Sequence, residues 1–553
     1  MRKKILYAAI VLFLLGTIAW TCRVQIIVWA LPSIINFTQP VAPHREVIWP
    51  DGPSSSNESI ENRKPNIILI LADDMGFNDV SLYNGGAGDG SLMTPNIDRI
   101  GNEGVIFNNG YAASASCSPS RASIMTGRYS TRFGYEFTPF YKVGLTIMKW
   151  MNEANDEPLK TQFSLDTETN FIGSGEYAGM PSSEITVAEI LREQGYYNAH
   201  IGKWHLGQSS GTNPTSQGFD DSLQLLSAFY LPKNDPNVVN ARTDAAIDRM
   251  VRAAGQFSVT FNASEAFEPG GYITDYYTEE AVKVIEKNKH QPFFLYLGHF
   301  APHNPLQSLK EDYDHFSHLS EKNEHELRVY SGMLRALDRG VGKILDTLEE
   351  QGLSENTLII FSSDNGGANY INLSDINKPF RGWKLSHFEG GMHIPFMAKW
   401  PGKIKPGTIF DYPIHQNDIL PTIAAAAEAS IPTDRIIDGK NILPFIENNQ
   451  PPHETLFWRQ GRLQTVLHKK WKMISDTNQE KLWLFDLSKD PTEKNNLANQ
   501  MPEKVQMLEN LLMKHNDQQM ESNFSSVVAT PILIDKHAGE EYEDGDEYIF
   551  WDN

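Results

Sequence analysis

Asn66-Ile67-Ile68-Leu69-Ile70-Leu71-Ala72-Asp73-Asp74-Met75-Gly76 is an apolar run closed by two carboxylates and a glycine. Without polar alternation, the run describes a strand buried on both faces, inside a sheet covered by helices. Adjacent carboxylates at the tip of such a strand are costly unless something positive lies between them. A divalent cation held by oxygen ligands would satisfy them, and so would a loop turned to solvent. Two further runs repeat the pattern. Thr357 to Ser363 ends in Asp364-Asn365-Gly366-Gly367, and Pro292 to Leu297 leads into His299-Phe300-Ala301-Pro302-His303-Asn304-Pro305-Leu306. In open α/β sheets, polar groups at the carboxyl ends of several strands converge on one crevice. Asp73, Asp74, Asp364 and Asn365 then form a single oxygen-rich metal site. The expected fold class is α/β, a large mixed sheet flanked by helices, with a smaller C-terminal antiparallel sheet plus helix.

Ser116-Cys117-Ser118-Pro119-Ser120-Arg121 opens a helix-forming stretch that Gly127 stops. A group at its start faces free N–H groups and the positive end of the helix dipole, where an anion is stabilised. Arg121, one turn on, returns to the same face and can hold that anion or the cysteine-derived group. A buried free cysteine and a thiolate nucleophile are the plainer readings of Cys117. The spacing, however, resembles the sulfatase signature C-x-P-S-R. Other blocks share the resemblance: Gly202-Lys203-Trp204-His205-Leu206-Gly207, Ala301-Pro302-His303-Asn304-Pro305-Leu306 and Arg381-Gly382-Trp383-Lys384 through Glu389-Gly390-Gly391.

The resemblance spans roughly Pro65 to His515 and implies an alkaline-phosphatase-like fold and sulfate ester hydrolysis. It implies that Cys117 is oxidised to formylglycine (3-oxoalanine) by a maturation enzyme, and that the aldehyde hydrate attacks sulfur. Asp73, Asp74, Cys117, Asp364 and Asn365 would hold the cation, calcium or magnesium. Lys203 and Lys384 would meet the sulfate, His205 the formylglycine hydroxyl, and His303 the departing oxygen, with His299 the second choice. Two alternatives stand beside this reading: a phosphate or phosphonate ester hydrolase of the same superfamily, and a non-catalytic binder of sulfated glycans.

The 553 residues carry a formal net charge of −21, which argues against a nucleic-acid partner and demands a local basic pocket for a sulfated carbohydrate substrate. Arg2-Lys3-Lys4 precedes an uncharged apolar run from Ile5 to Thr21, followed by a second from Val24 to Phe37. This pattern reads as export, either through a membrane anchor facing the periplasm or outside, or through a cleaved signal peptide. The domains expected are anchor or signal 1–37, linker 38–64, catalytic domain 65–450, C-terminal α+β subdomain 451–520 and acidic tail 521–553. The His468-Lys469-Lys470-Trp471-Lys472 cluster reads as a solvated turn, with a contact for a polyanion as the alternative. No oligomeric state is assigned.

Overall fold

A computed structural model describes residues 4, 7, 17 and 23–553, apart from 57–58, 61, 84, 86–89, 140–141, 154–157, 165–178, 227 and 320–323. The strands of the central sheet are β1 (Asn66–Ala72), β2 (Val105–Phe107), β3 (Tyr197–Gly202), β4 (Asp221–Leu225), β5 (Val259–Phe261), β6 (Phe293–Gly298), β7 (Thr357–Ser363), β8 (Phe396–Lys399) and β9 (Thr408–Phe410). Among the described residues their order is β9-β2-β8-β7-β1-β6-β3-β4-β5. The run from β7 to β4 is parallel, and β8 and β5 flank it antiparallel. Every residue of β1 is buried, as the unbroken apolar run requires. Ile68 and Ile70 pack toward helices Ile273–Asn288 and Glu324–Glu350, whereas Ile67, Leu69 and Leu71 pack toward Cys117–Thr126, Val187–Glu193 and Ile419–Ala426. Each such side chain contributes about 1.5–3 kcal/mol of burial. The sheet therefore holds the ends of β1, β3, β6 and β7 in one fixed row.

A second sheet, β10 (Thr455–Gln460), β11 (Leu463–His468), β12 (Trp471–Asp476) and β13 (Lys481–Asp486), is an antiparallel meander. Helix Pro502–Asn516 covers it through Leu508 and Leu512. Lys472, read as part of a solvated turn, is fully buried and paired with Glu389 at 2.7 Å and Glu493 at 2.8 Å. Register explains the difference: Lys472 belongs to β12, and its side chain points into the joint with the main domain.

Two segments expected to hang free are packed. Within 38–64, Trp49 is 1% exposed and its Nε1 donates to Glu280 Oε2 at 2.6 Å, while Ala42 bridges to Phe267. The prolines keep this stretch extended, but Val47 and Trp49 anchor it. Within 521–553, Val528–Leu533 pairs with Tyr548–Asp552 and with Gln162–Phe163. The acidic residues occupy the connection, and Ile532, Ile549 and Trp551 are buried beneath it.

The run from Ile5 to Thr21 lies almost wholly outside the described residues. Helix Arg23–Thr38, with Pro32 inside it, rests on helices Ala246–Ala254 and Lys142–Glu153. Among the described residues no helix is long and apolar enough to cross a membrane.

Candidate active site

Cys117 is the first residue of helix Cys117–Thr126, and Ser116 is its extended N-cap. Ser120 Oγ donates to the Ser114 carbonyl at 2.9 Å and accepts from Ser114 N at 2.9 Å, folding the entering chain onto the helix start. The thiol is thereby aimed at the row of strand ends. Its Sγ lies 3.1 Å from Lys384 Nζ and 3.7 Å from Asp74 Oδ1.

One donor atom from each of Asp73, Asp74, Cys117 and His303 lies within 4.8 Å of all the others. Asn365 adjoins this group, its Nδ2 donating to Asp74 Oδ1 at 2.8 Å. Asp364 stands one step back, its Oδ2 accepting from Arg121 Nε at 2.9 Å and its Oδ1 from Asp74 N at 3.2 Å. Asp73 Oδ1 and Asn365 Oδ1 are buried and accept no hydrogen bond among the described residues. Orphaned buried oxygens cost free energy unless a cation or donor meets them. The donor set therefore fits a hard divalent ion.

Lys203 Nζ donates to Asp73 Oδ2 at 2.5 Å, and Lys384 Nζ donates to both Asp74 oxygens at 2.6 and 2.7 Å. Burial would lower the Lys384 pKa, but Asp74 and Cys117 hold it well above the ordinary lysine value. Burial would likewise raise Asp74, and Lys384, His303 and Lys203 outweigh it and hold that carboxyl below the usual range. Asp364 is pushed up to about 6 by burial and by Asp73. Burial also pushes the Cys117 thiol far up, with Lys203 and Lys384 only partly opposing, so a standing thiolate is disfavoured.

Burial disfavours the charged form of both site histidines. Burial, then the surrounding cations, hold His205 well below the ordinary value, and its Nδ1 has no partner among the described residues. His303 is lowered to about 3, chiefly by burial. Its Nδ1 lies 2.5 Å from the Asn304 carbonyl, its ring stacks on Phe300, and Nε2 is left 3.6 Å from Asp74 Oδ2. His299 is fully buried, with neither ring nitrogen bonded among the described residues.

Arg121, expected to hold the anion or the cysteine-derived group, packs against the floor of the site, with Nη2 3.8 Å from Asp73 Oδ2 and without a hydrogen-bond partner among the described residues. It is fully buried, with Nη1 donating to the Lys203 carbonyl at 2.7 Å and to Tyr296 Oη at 3.1 Å. It ties the ends of β3, β6 and β7 together. Glycine is required where backbones meet: a Cβ on Gly391 would lie 2.1 Å from the Ser386 carbonyl. This close approach brings the Lys384 loop over Cys117.

One residue of the site escaped the sequence reading. Tyr370 Oη donates to Asp74 Oδ2 at 3.0 Å. A lone tyrosine in a loop carries no spacing signal, and only the chain path between β7 and Lys384 brings it there.

Comparison with known proteins shows the family. A family profile described as Sulfatase matches residues 65–429, and one described as N-sulphoglucosamine sulphohydrolase, C-terminal, matches 383–521. The chain is 32% identical over 403 residues to N-acetylgalactosamine-6-sulfatase of Homo sapiens, covering 72% of this chain and 68% of that protein. It is 30% identical over 505 residues to steryl-sulfatase of Homo sapiens, covering 79% of each. Among solved structures it is similar to Ps i-CgsB in complex with k-i-k-neocarrahexaose, with a TM-score of 0.69 and 29% identity over 84% of this chain and 95% of that one.

Proposed function

The chain belongs to the sulfatase family and is a sulfuric ester hydrolase, and from that premise we propose that it works through a formylglycine made from Cys117 beside a bound divalent cation. The observation that carries this reading is the seating of Cys117 Sγ at a helix start, among Asp73, Asp74 and His303 and under Lys384. When present, the two groups supply a geminal hydroxyl as nucleophile and a positive charge against the sulfuryl oxygens.

This chain's own residues do the remainder. Asp73, Asp74 and Asn365 offer the oxygens that would hold the cation, with Asp364 beside them. Lys203, Lys384 and the helix N–H groups face the sulfate, where negative charge develops. Lys384, with His303 across Asp74 from it, would supply the proton to the departing oxygen. His205, kept neutral, accepts the proton of the formylglycine hydroxyl. Arg121 fixes Asp364 and the β3 end behind them.

The substrate class proposed is a sulfated polysaccharide or oligosaccharide, in line with the relative named N-acetylgalactosamine-6-sulfatase and the neighbour solved with k-i-k-neocarrahexaose. Calcium is the proposed cation, with magnesium equally suited by its ligand types. Export is read from Arg2-Lys3-Lys4 and the apolar run Ile5 to Thr21 behind them, with helix Arg23–Thr38 remaining on the exported domain against which it packs. A maturation enzyme must act before the chain folds around Cys117, which is only 5% exposed.

The test is expression with a formylglycine-generating enzyme, intact-protein mass, and sulfate release from a generic aryl sulfate. Matured protein is expected to turn over, to lose activity with a chelator and to regain it with calcium or magnesium. Cys117→Ala is expected to abolish sulfate release with the unfolding midpoint retained. Normal activity in that variant, or phosphodiester turnover above sulfate turnover, would overturn the reading.

A further inference from the structure

A net charge of −21 repels polyanions at long range, so a sulfated chain needs local attraction beyond the reacting ester. Away from the Cys117 site, a cavity of about 950 Å³ opens between helix Arg23–Thr38, helix Lys142–Glu153 and residues 229–253. That volume is at the upper end of the roughly 300–1,000 Å³ typical of ligand pockets, room for more than one sugar ring. Its walls carry Arg23, Lys233, Arg242 and Arg249, with Trp29 and Trp150. Among the described residues Lys233, Arg242 and Arg249 are exposed and make no ion pair. Arg252, by contrast, is committed to Asp248 and to the Ala241 carbonyl. Glu153 and Asp244 also line the walls, so the charge is mixed but net basic.

Two contacts tie the wall of the cavity to the loop that carries His303. Phe229 is in its wall, and the next residue, Tyr230, places Oη 2.7 and 2.8 Å from the carbonyls of Phe300 and His303. Arg242 follows Ala241, whose N donates to the Leu306 carbonyl at 3.1 Å. Guanidinium groups match sulfate oxygens in bidentate geometry, and indoles offer flat apolar faces to sugar rings. Acidic groups among them accept from hydroxyls, which suits a glycan and opposes a flat anionic membrane.

We propose that this cavity is a subsite for a sulfated oligosaccharide, engaging sugars of the same chain whose ester lies at Cys117. The proposal rests on the glycan-sulfatase reading above. Its test uses full-length protein with unmodified Cys117, so that binding is read without turnover. Carrageenan and heparin hexasaccharides and their desulfated counterparts are titrated calorimetrically against wild type and Arg242→Glu/Arg249→Glu, with thermal midpoints as the folding control. At least one sulfated hexasaccharide is expected to bind at least tenfold more tightly than its desulfated form, with weaker binding at higher salt. The double variant should lose at least tenfold in affinity, and Trp150→Ala severalfold; should the double variant not fold, Arg242→Gln alone is expected to lose severalfold. Equal binding by folded wild type and variants would overturn the subsite. So would binding of phosphatidylglycerol vesicles through these arginines with no hexasaccharide bound. Charge-dependent hexasaccharide binding in a protein whose matured form releases no sulfate would sink the hydrolase reading and still support the subsite.

Discussion

Asp79 shows what burial does to a single carboxyl close to the site. Its Oδ2 accepts from Tyr330 Oη at 2.6 Å and from Gly76 N at 2.7 Å, and Oδ1 is unpartnered among the described residues. Burial pushes it up to about 8 despite those two hydrogen bonds. The folded state therefore favours the protonated form, against about 4 for a free carboxyl. Its stabilising effect is full below about pH 4 and is lost as pH rises toward 8. Asp79→Asn, neutral at every pH, is expected to flatten the decline in urea midpoint across that window. Tyr370→Phe removes one hydrogen bond to the charged Asp74, worth about 1.5–3 kcal/mol. A roughly tenfold or larger fall in kcat/KM on an aryl sulfate is expected, together with a lower unfolding midpoint.

At the scale of the element, the start of helix Cys117–Thr126 is held by Ser120 and Ser114 rather than by an N-cap side chain. Ser120→Ala would leave a buried N–H and a buried carbonyl without partners, at about 1–3 kcal/mol. The expected result is a lower denaturation midpoint together with reduced kcat, because the turn that aims residue 117 loosens. The helix itself was legible from its residues, since small residues precede Cys117 and Gly127 takes the left-handed C-cap conformation at φ 67°. Its aim was not. One helical turn returns Arg121 to the Cys117 face, and only the folded chain shows that its guanidinium is fixed there by Asp364 and the Lys203 carbonyl.

For the molecule as a whole, the joint between the two sheets is a buried charge cluster. Lys472 of β12 meets Glu389 and Glu493, and Glu389 Oε2 also faces His393 at 2.8 Å and Tyr111 Oη at 2.9 Å. Glu389 is lowered to about 2, since Lys472 and His393 overcome its burial, whereas burial lifts Glu493 to about 7. Lys472→Met leaves carboxylates buried without their cation, at about 3–5 kcal/mol. Earlier proteolytic release of the region after 451 and a lower thermal midpoint are expected. Because Glu389 begins the turn over which Lys384 is held, sulfate release should fall as well.

The buried strands, their carboxyl-end acids and the helix bearing Cys117 could be read directly, because apolar runs and helix stops are local properties of neighbouring residues. The family blocks carried Lys203, His205, His303 and Lys384 with them. Only the folded chain decided that Trp49 pins the supposed linker, that the acidic end conceals a sheet, and that Lys472 is internal. It also decided that Tyr370 reaches Asp74 and that Arg121 is tied to Asp364. Each of these depends on which surface a segment meets, and contacts between residues tens to hundreds of positions apart leave no periodicity to read.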